Sequence, residues 1–353
     1  MLAQGMLTVV CQRNRCVPGV LVAVALLGAG FMPSEASARP GASEGCARAP
    51  TSSRVVNVKD KGARGDGRTD DTAAIQAAIN KVAGTGGTVF VPDGTYMINS
   101  LNKENQLALG RDMTFKMSTG ATLKAIPNSS ESYVVLNVEN ATNVTVVGGT
   151  LEGDREGHSG KTGEYGYGLY IGSGAEHVTI SGVTAKKMWG DGFFVDGGKD
   201  VTFCSVTADH NRRQGMSIIE VDGLLVTNSV FSNTRGTRPS AGIDLEPNQM
   251  TELIKNVRIE NSKFLNNVGA GVLVSGKKGS TNISNVEITR NVFTGILPIK
   301  IEYAPAVLNS AICHNRQITP RSDSSGNLSP FAGPADEVVL QSDCGDPRLQ
   351  IRR

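Results

Sequence analysis

The chain has 353 residues and a formal net charge of +2, a balance that gives no field for nucleic acid. Aromatic residues make up 5% of it and there are 42 glycines, which argues against a helical bundle and for an all-β chain with many tight turns. Arg13 and Arg15 precede an apolar run from Val17 to Met32, and Ala36-Ser37-Ala38 follows as a small-x-small cleavage site. These are the three parts of a secretory signal peptide over residues 1–38, with an uncleaved N-terminal anchor as the alternative. The run is short and broken by glycine, and no later stretch is long and apolar enough for a membrane helix. The expected location is secreted or periplasmic, with no membrane attachment after cleavage.

Export permits disulfides. Cys46, Cys204, Cys313 and Cys344 lie beyond the signal peptide. A Cys313–Cys344 bridge would staple a tail with little core of its own, whereas Cys204 sits in a strand pattern and reads as a buried thiol. No spacing resembles a zinc site. Residues 39–53, rich in Ala, Ser, Gly and Pro, read as a flexible leader.

Val55 to Val58 reads as a first strand and Gly62–Thr72 as a turn cluster, with Asp70 or Asp71 capping a helix near 72–83 whose Ile75, Ile79 and Val82 share one face. Thr88–Val91 and Thr95–Ile98 read as strands around the turn Pro92-Asp93-Gly94. The glycine cluster lacks the Gly-Lys-Ser/Thr ending of a phosphate loop. The helix reads as a lid over the open end of a β array. The run from Asn57 to Asn99, N-V-K-D-K-G-A-R-G-D-G-R-T-D-D-T-A-A-I-Q-A-A-I-N-K-V-A-G-T-G-G-T-V-F-V-P-D-G-T-Y-M-I-N, resembles the opening of the pectate-lyase-like, rhamnogalacturonase/epimerase-type proteins of the pectin-lyase-like superfamily. The resemblance implies a single-stranded right-handed parallel β-helix and action on polysaccharides. Members include hydrolases, lyases, sugar epimerases and phage tailspikes, so the reaction stays open.

A repeat is visible over 54–315. One strand type recurs as Asn143–Val146, His177–Ile180, Asp200–Phe203, Asn256–Ile259 and Asn285–Ile288. A second starts at Gly168, Gly192, Gly215, Gly242 and Gly271, with Pro298 in the glycine's place in the last copy. One and three residues after that position every copy is apolar, which makes a stacked core. Two residues after it stand Tyr170, Phe194, Ser217, Asp244, Leu273 and Lys300, an outward face free to vary. Asn211, Asn233, Asn266 and Asn267 read as left-handed turn residues. Beyond Tyr303 the pattern fades. Residues 316–353 read as a loop-rich tail or cap, to which Glu337–Gln341 adds a strand.

The outward face carries the chemistry. In G-I-D-L-E-P, Asp244 and Glu246 stand on one strand face, ~6.6 Å apart, near the separation of an inverting glycosidase's acid and base. A Ca2+ site, or a pair salt-bridged to Arg213, is the structural alternative; no other cofactor is expected. Asp191 is a reserve carboxylate. Arg213, Arg212 and Lys300 would hold an acidic sugar, with Asp209, Glu220 or Glu302 as their structural partners instead. Trp189, Tyr170 and Phe194 would line sugar subsites. His210 reads as a turn residue. A polygalacturonase-type site has only faint echoes here, at Trp189–Gly192 and Arg213–Ile218. An alginate-epimerase-type motif aligns with Gly242 and Asp244 but has histidine where Glu246 stands. The expected function is cleavage of an acidic polysaccharide, by hydrolysis in preference to a uronan lyase or C5-epimerase reaction. A non-catalytic glycan-binding or assembly protein is the remaining alternative. The polysaccharide, its linkage and the oligomeric state stay open.

Overall fold

The computed structural model describes residue 46 and residues 52–101, 107–276, 281–295, 297–302 and 307–318, with short strands at Arg321–Ser322, Leu328–Ser329 and Glu337–Leu340. The signal-peptide reading of 1–38, most of the leader, most of the tail and Cys344 lie outside the described residues. The chain divides into units Met1–Glu44 and Gly45–Arg353, and the described residues all belong to the second.

Among them, two long sheets of stacked strands, one of 17 strands and one of 11, wind round one apolar core. All the coil-to-coil pairings from Val55 to Ile318 are parallel. The two strand types read from the sequence lie in the same sheet, and Phe193–Cys204 and Met216–Thr227 each run continuously through both. The alternation places Ile243 and Leu245 in the core, as it does Val272 and Val274 one coil on.

A third strand type, of which the sequence reading has only Thr95–Ile98 and Glu337–Gln341, forms the 11-stranded sheet. Thr184–Lys186, Thr207–Asp209, Val230–Ser232, Lys263–Leu265 and Val292–Thr294 stack in register. Three residues are too few to display a period. The signal is the single inward residue in each, Ala185, Ala208, Phe231, Phe264 and Phe293. The last three rings stack at 5.3 and 4.8 Å inside the coil.

The helix α1 (Thr72–Val82) buries Ile75, Ala78, Ile79 and Val82 against the core beside strands Val55–Asn57 and Gly87–Val91. Of its two candidate caps, Asp70 accepts from the Thr72 amide at 3.0 Å, whereas Asp71 turns back to the amides of Arg64 and Gly65. Asn233 and Asn266 have left-handed backbones, as do His210, Asn256 and Asn285. Asn211 and Asn267 act differently. Each sits one residue later and bonds the coils through its side-chain amide: Asn211 to the Met188 amide and Ala185 carbonyl, Asn267 to the Thr234 amide and Phe231 carbonyl. Such ladders satisfy backbone groups that the turns leave without partners.

One expectation changes and another is met. Cys204 is not a buried thiol but is joined to Cys46 by a disulfide, their Cα atoms 5.6 Å apart. The partner comes from a leader whose composition gives no hint of structure, so the sequence around Cys204 could not show it. Glu337–Leu340 does form a strand, pairing antiparallel with Asn315–Ile318.

Candidate functional site

The outward positions stack as Asn137, Tyr170, Phe194, Ser217, Asp244, Leu273 and Lys300, one per coil. Tyr167, Asp191 and Gln214 precede the glycines of three successive coils and line the same face. The amides of Gly168 and Gly192 reach the carbonyls of Asp191 and Gln214. The glycines are needed there: at Gly192 a Cβ would stand 2.7 Å from the Gly215 carbonyl, and at Gly215 it would stand 2.4 Å from the Gly242 carbonyl.

Arg213 is the hub. Its Nη1 donates to Asp191 Oδ2 and to Ser217 Oγ, both at 3.1 Å, and its Nη2 donates to Glu246 Oε2 at 3.0 Å. Its Nε lies 3.4 Å from Glu164 Oε2. Burial works against its charge, but Asp191 and Glu246 outweigh that and hold it more firmly protonated than a free arginine. Three acids and Ser217 thus surround the guanidinium, both of whose terminal nitrogens donate to this protein's own side chains. Of the partners the sequence suggested for Arg213, Glu246 is met and Asp209 and Glu220 are not; the other acids, Asp191 and Glu164, come from other coils.

Asp191 is fully buried, with Oδ1 accepting from the Gln214 amide at 2.9 Å and Oδ2 from Ser217 Oγ at 2.9 Å. Burial pushes its carboxyl up to about 7, against the lowering pull of Arg213. It is a support for Arg213 rather than a reserve catalytic group, because no oxygen faces solvent.

Asp244 is 1% exposed. Its Oδ2 accepts from Gln214 Nε2 at 2.9 Å and its Oδ1 from Ser275 Oγ at 3.2 Å. Gln214 is itself fixed, its Oε1 accepting from the Ala241 amide at 2.7 Å. Burial first, and then the nearby Glu246 charge, raise Asp244 to about 8. The two carboxyls are not held apart at strand spacing. The strand ends at Leu245, so Glu246 leaves the pleat and comes within hydrogen-bonding reach of Asp244. Glu246 Oε1 is buried, and apart from the 2.9 Å approach of Arg213 Nη2 it accepts no hydrogen bond from a fixed proton. A protonated Asp244 carboxyl beside it would supply that missing donor. The salt-bridged alternative for Glu246 and its place in the acid pair coincide.

Upstream of this centre lies an aromatic platform. Tyr167 stacks on Phe194 at 4.2 Å, and Phe194 on Tyr170 at 5.8 Å, with Tyr170 and Phe194 half-buried. The Tyr170 hydroxyl reaches Asp196 at 3.4 Å. Downstream, Ala241, Ala270 and Leu273 form a small apolar cluster separate from the core.

Three expected subsite residues stand away from the Asp244–Glu246 pair and make their contacts elsewhere. Trp189 lies between His158, stacked at 3.9 Å, and the Arg212 guanidinium, 3.9 Å from its centroid, so both ring faces are covered. Arg212 is turned the opposite way from Arg213, onto Trp189 and the carbonyls of Gly163 and Trp189. Lys300 is exposed, bonded to Glu302, and separated from Asp244 by the Leu273 coil. His210 is a left-handed turn residue bonded to Asp209 at 2.7 Å. The sequence reading missed the roles of Glu164, Gln214 and Ser275, which the coil stacking alone brings in. Among the described residues, Glu176, His177 and Asp200 could offer ligand atoms to a metal ion together, but they form a mostly exposed group in which Lys199 already engages Glu176 at 2.7 Å. Asp244 and Glu246 are not part of it.

Comparison with known proteins places this geometry. Residues 55–109 match the family model described as rhamnogalacturonase A/epimerase, pectate lyase-like, and residues 134–300 match the right handed beta helix region. An uncharacterized protein, YclG of Bacillus subtilis (strain 168), is 28% identical over 293 residues, covering 71% of this chain and 50% of that protein. The mannuronan C5-epimerase AlgE4 of Azotobacter vinelandii is 36% identical over 149 residues, covering 39% of this chain and 27% of that enzyme. The chain thus spans half or less of the length of these relatives. Among solved structures, the AlgE6 A-module of Azotobacter vinelandii superposes with a TM-score of 0.54 at 23% identity, over 75% of this chain and 87% of that one.

Proposed function

The chain belongs to the pectin-lyase-like right-handed parallel β-helix proteins, and on that premise we propose that it is an exported enzyme that cleaves a polysaccharide by glycoside hydrolysis. The observation that carries the reading is the Asp244–Glu246 carboxyl pair, Glu246 bonded to the buried Arg213 and Asp244 buried beside it, where burial favours a proton on Asp244. Glu246, the more accessible member, delivers that proton to the glycosidic oxygen and is recharged by Asp244, which acts as a positioning and proton-storing residue. Glu164 shares the Arg213 guanidinium with Glu246 and is partly exposed, so it is the carboxylate available to activate water. Tyr170 and Phe194 carry a pyranose ring on their faces. Export is supported by the Cys46–Cys204 disulfide, a bond of oxidising compartments.

Screening the protein on uronans and bacterial exopolysaccharides tests the reading. New reducing ends without unsaturated sugar, lost in Glu246→Gln with the fold intact, are the expected result. Retained activity in that variant removes Glu246 from the mechanism. A uronan lyase or C5-epimerase reaction is the second reading, favoured by the 149-residue similarity to a mannuronan C5-epimerase. Near-ultraviolet absorbance of the product would select the lyase. An unchanged chain length with altered sugar composition would select the epimerase.

A further inference from the structure

Arg155, Trp189, Arg212 and Arg235 hold one position on four successive coils. Glu152, Lys186, Asp209 and Ser232 stack in register, and each of the four lies three residues beyond its member of that stack. The amides of Arg212 and Arg235 bond back to the carbonyls of Met188 and Asn211 on the preceding coil, whereas that of Arg155 bonds forward to the Lys187 carbonyl. One coil further on, the column ends in Val268, whose amide bonds to the Thr234 carbonyl.

The cationic ends converge. Arg212 lies over Trp189, and Arg155 reaches two coils along to donate Nη1 to the His210 carbonyl at 2.6 Å. A Cβ at Gly236, where φ is +133°, would stand 2.9 Å from Arg212 Cγ and 3.5 Å from Arg155 Nη2, so the glycine leaves room for both. Arg155 is held below the usual arginine range, by burial first and then by Arg235 and Arg212. The acids within electrostatic reach are engaged elsewhere, Glu156 by Lys187 at 2.9 Å and Glu164 by Arg213. Among the described residues none of the three arginines makes a salt bridge; Arg155 and Arg212 donate to backbone carbonyls. Three residues earlier on the same coils stand Glu152, Lys186, Asp209 and Ser232, a row of mixed sign in which Glu152 pairs with Lys186. The rim has no such pair, and like charges gathered without a counter-ion are unfavourable until an anion joins them.

We propose that this rim is an anion subsite, in which Arg155, Arg212 and Arg235 take a carboxylate, sulfate or phosphate group on the sugar next to the one at Glu246. The proposal rests on the polysaccharide reading above and deepens it. Arg213 is occupied by Asp191, Glu246 and Glu164, so the acidic group is read beside the cutting centre and not within it. Arg212 and Arg213 are adjacent in the chain and face opposite ways, which sets the two functions side by side.

Trp189, the single tryptophan, stacks on Arg212 and reports on the rim directly. Its emission would be followed while the whole chain is titrated with oligogalacturonate, oligomannuronate, a sulfated galactan oligomer, inorganic sulfate and a neutral cello-oligosaccharide. The expected result is binding of at least one charged oligomer about tenfold or more tighter than the neutral one, weakening as salt is raised. Arg235→Ala, an exposed position, should weaken it about tenfold, as should Arg155→Gln, while Asp244→Asn binds like the parent. Equal binding of neutral and charged oligomers, unchanged binding in the Arg155→Gln/Arg235→Ala pair, or no response to any anion overturns the subsite. A response to sulfate that depends on Arg235, with no response to any oligomer, would keep the anion site and remove the polysaccharide reading.

Discussion

Two outward faces of the same coils carry charge in different ways. On the 11-stranded sheet, Lys124, Glu152 and Lys186 form a ladder at 2.9 and 3.1 Å, with the lysine side chains 38% and 35% exposed. On the 17-stranded sheet, Arg213 is 13% exposed and sits among three acids, one of them fully buried. The ladder is solvated, so each pair gains little and its loss is cheap. The centre is desolvated, so each charge depends on its neighbours and proton affinities move far from their ordinary values. The difference teaches that burial, not the number of charged residues, marks a face for chemistry.

Arg213→Met breaks the comparison most severely. It strands Asp191 and Glu246, and is expected to cost about 3–5 kcal/mol in thermal or denaturant unfolding and to abolish activity. Survival at parental stability would mean that the centre is as solvated as the ladder.

Asp244→Asn sharpens it next. Activity should fall about 10²–10⁴-fold, measured as kcat on whichever glycan is cleaved. Asp244 titrates near its ordinary 3.8 when unfolded and about 8 when folded. Between those limits the folded chain holds the extra proton, so its stability is greatest below about 4 and declines as pH rises through 8. Asp191, raised to about 7, adds to the same slope. Unfolding midpoints across that range should therefore drop more steeply for the parent than for Asp244→Asn. Parallel slopes would place the raised proton elsewhere.

Phe194→Ala should raise KM about two- to tenfold with kcat little changed, if the platform holds a sugar ring. A fall in kcat alone would make the aromatics a wall and not a subsite. Glu152→Gln is the smallest expected effect, under about 1 kcal/mol of stability and no change in activity, because its lysines return to water.

The fold was largely legible. The Asn57–Asn99 run and the glycine-led copies gave the β-helix, since a stacked core demands apolar residues at fixed offsets. The short strands around Ala208 and Phe231 were not legible, because three residues show no period. At the site, Asp244, Glu246 and Arg213 were found from their place on the outward face and the structure brings them together. Trp189 and Lys300 stand apart from that centre. Sequence places both on the right face, but the His158 stack on Trp189 and the Glu302 partner of Lys300 depend on where loops and neighbouring side chains come to rest.

By itself, the sequence determined which side chains point in and which point out, because period-two alternation is a local property of the strand. It also determined that outward polar residues recur coil by coil. Only the tertiary structure decided which of those residues are buried, which acids share Arg213, and that Glu246 turns back to Asp244. Those outcomes follow from contacts between coils some 20 to 30 residues apart, and desolvation, the largest influence on both raised carboxyls, is a property of the assembled surface.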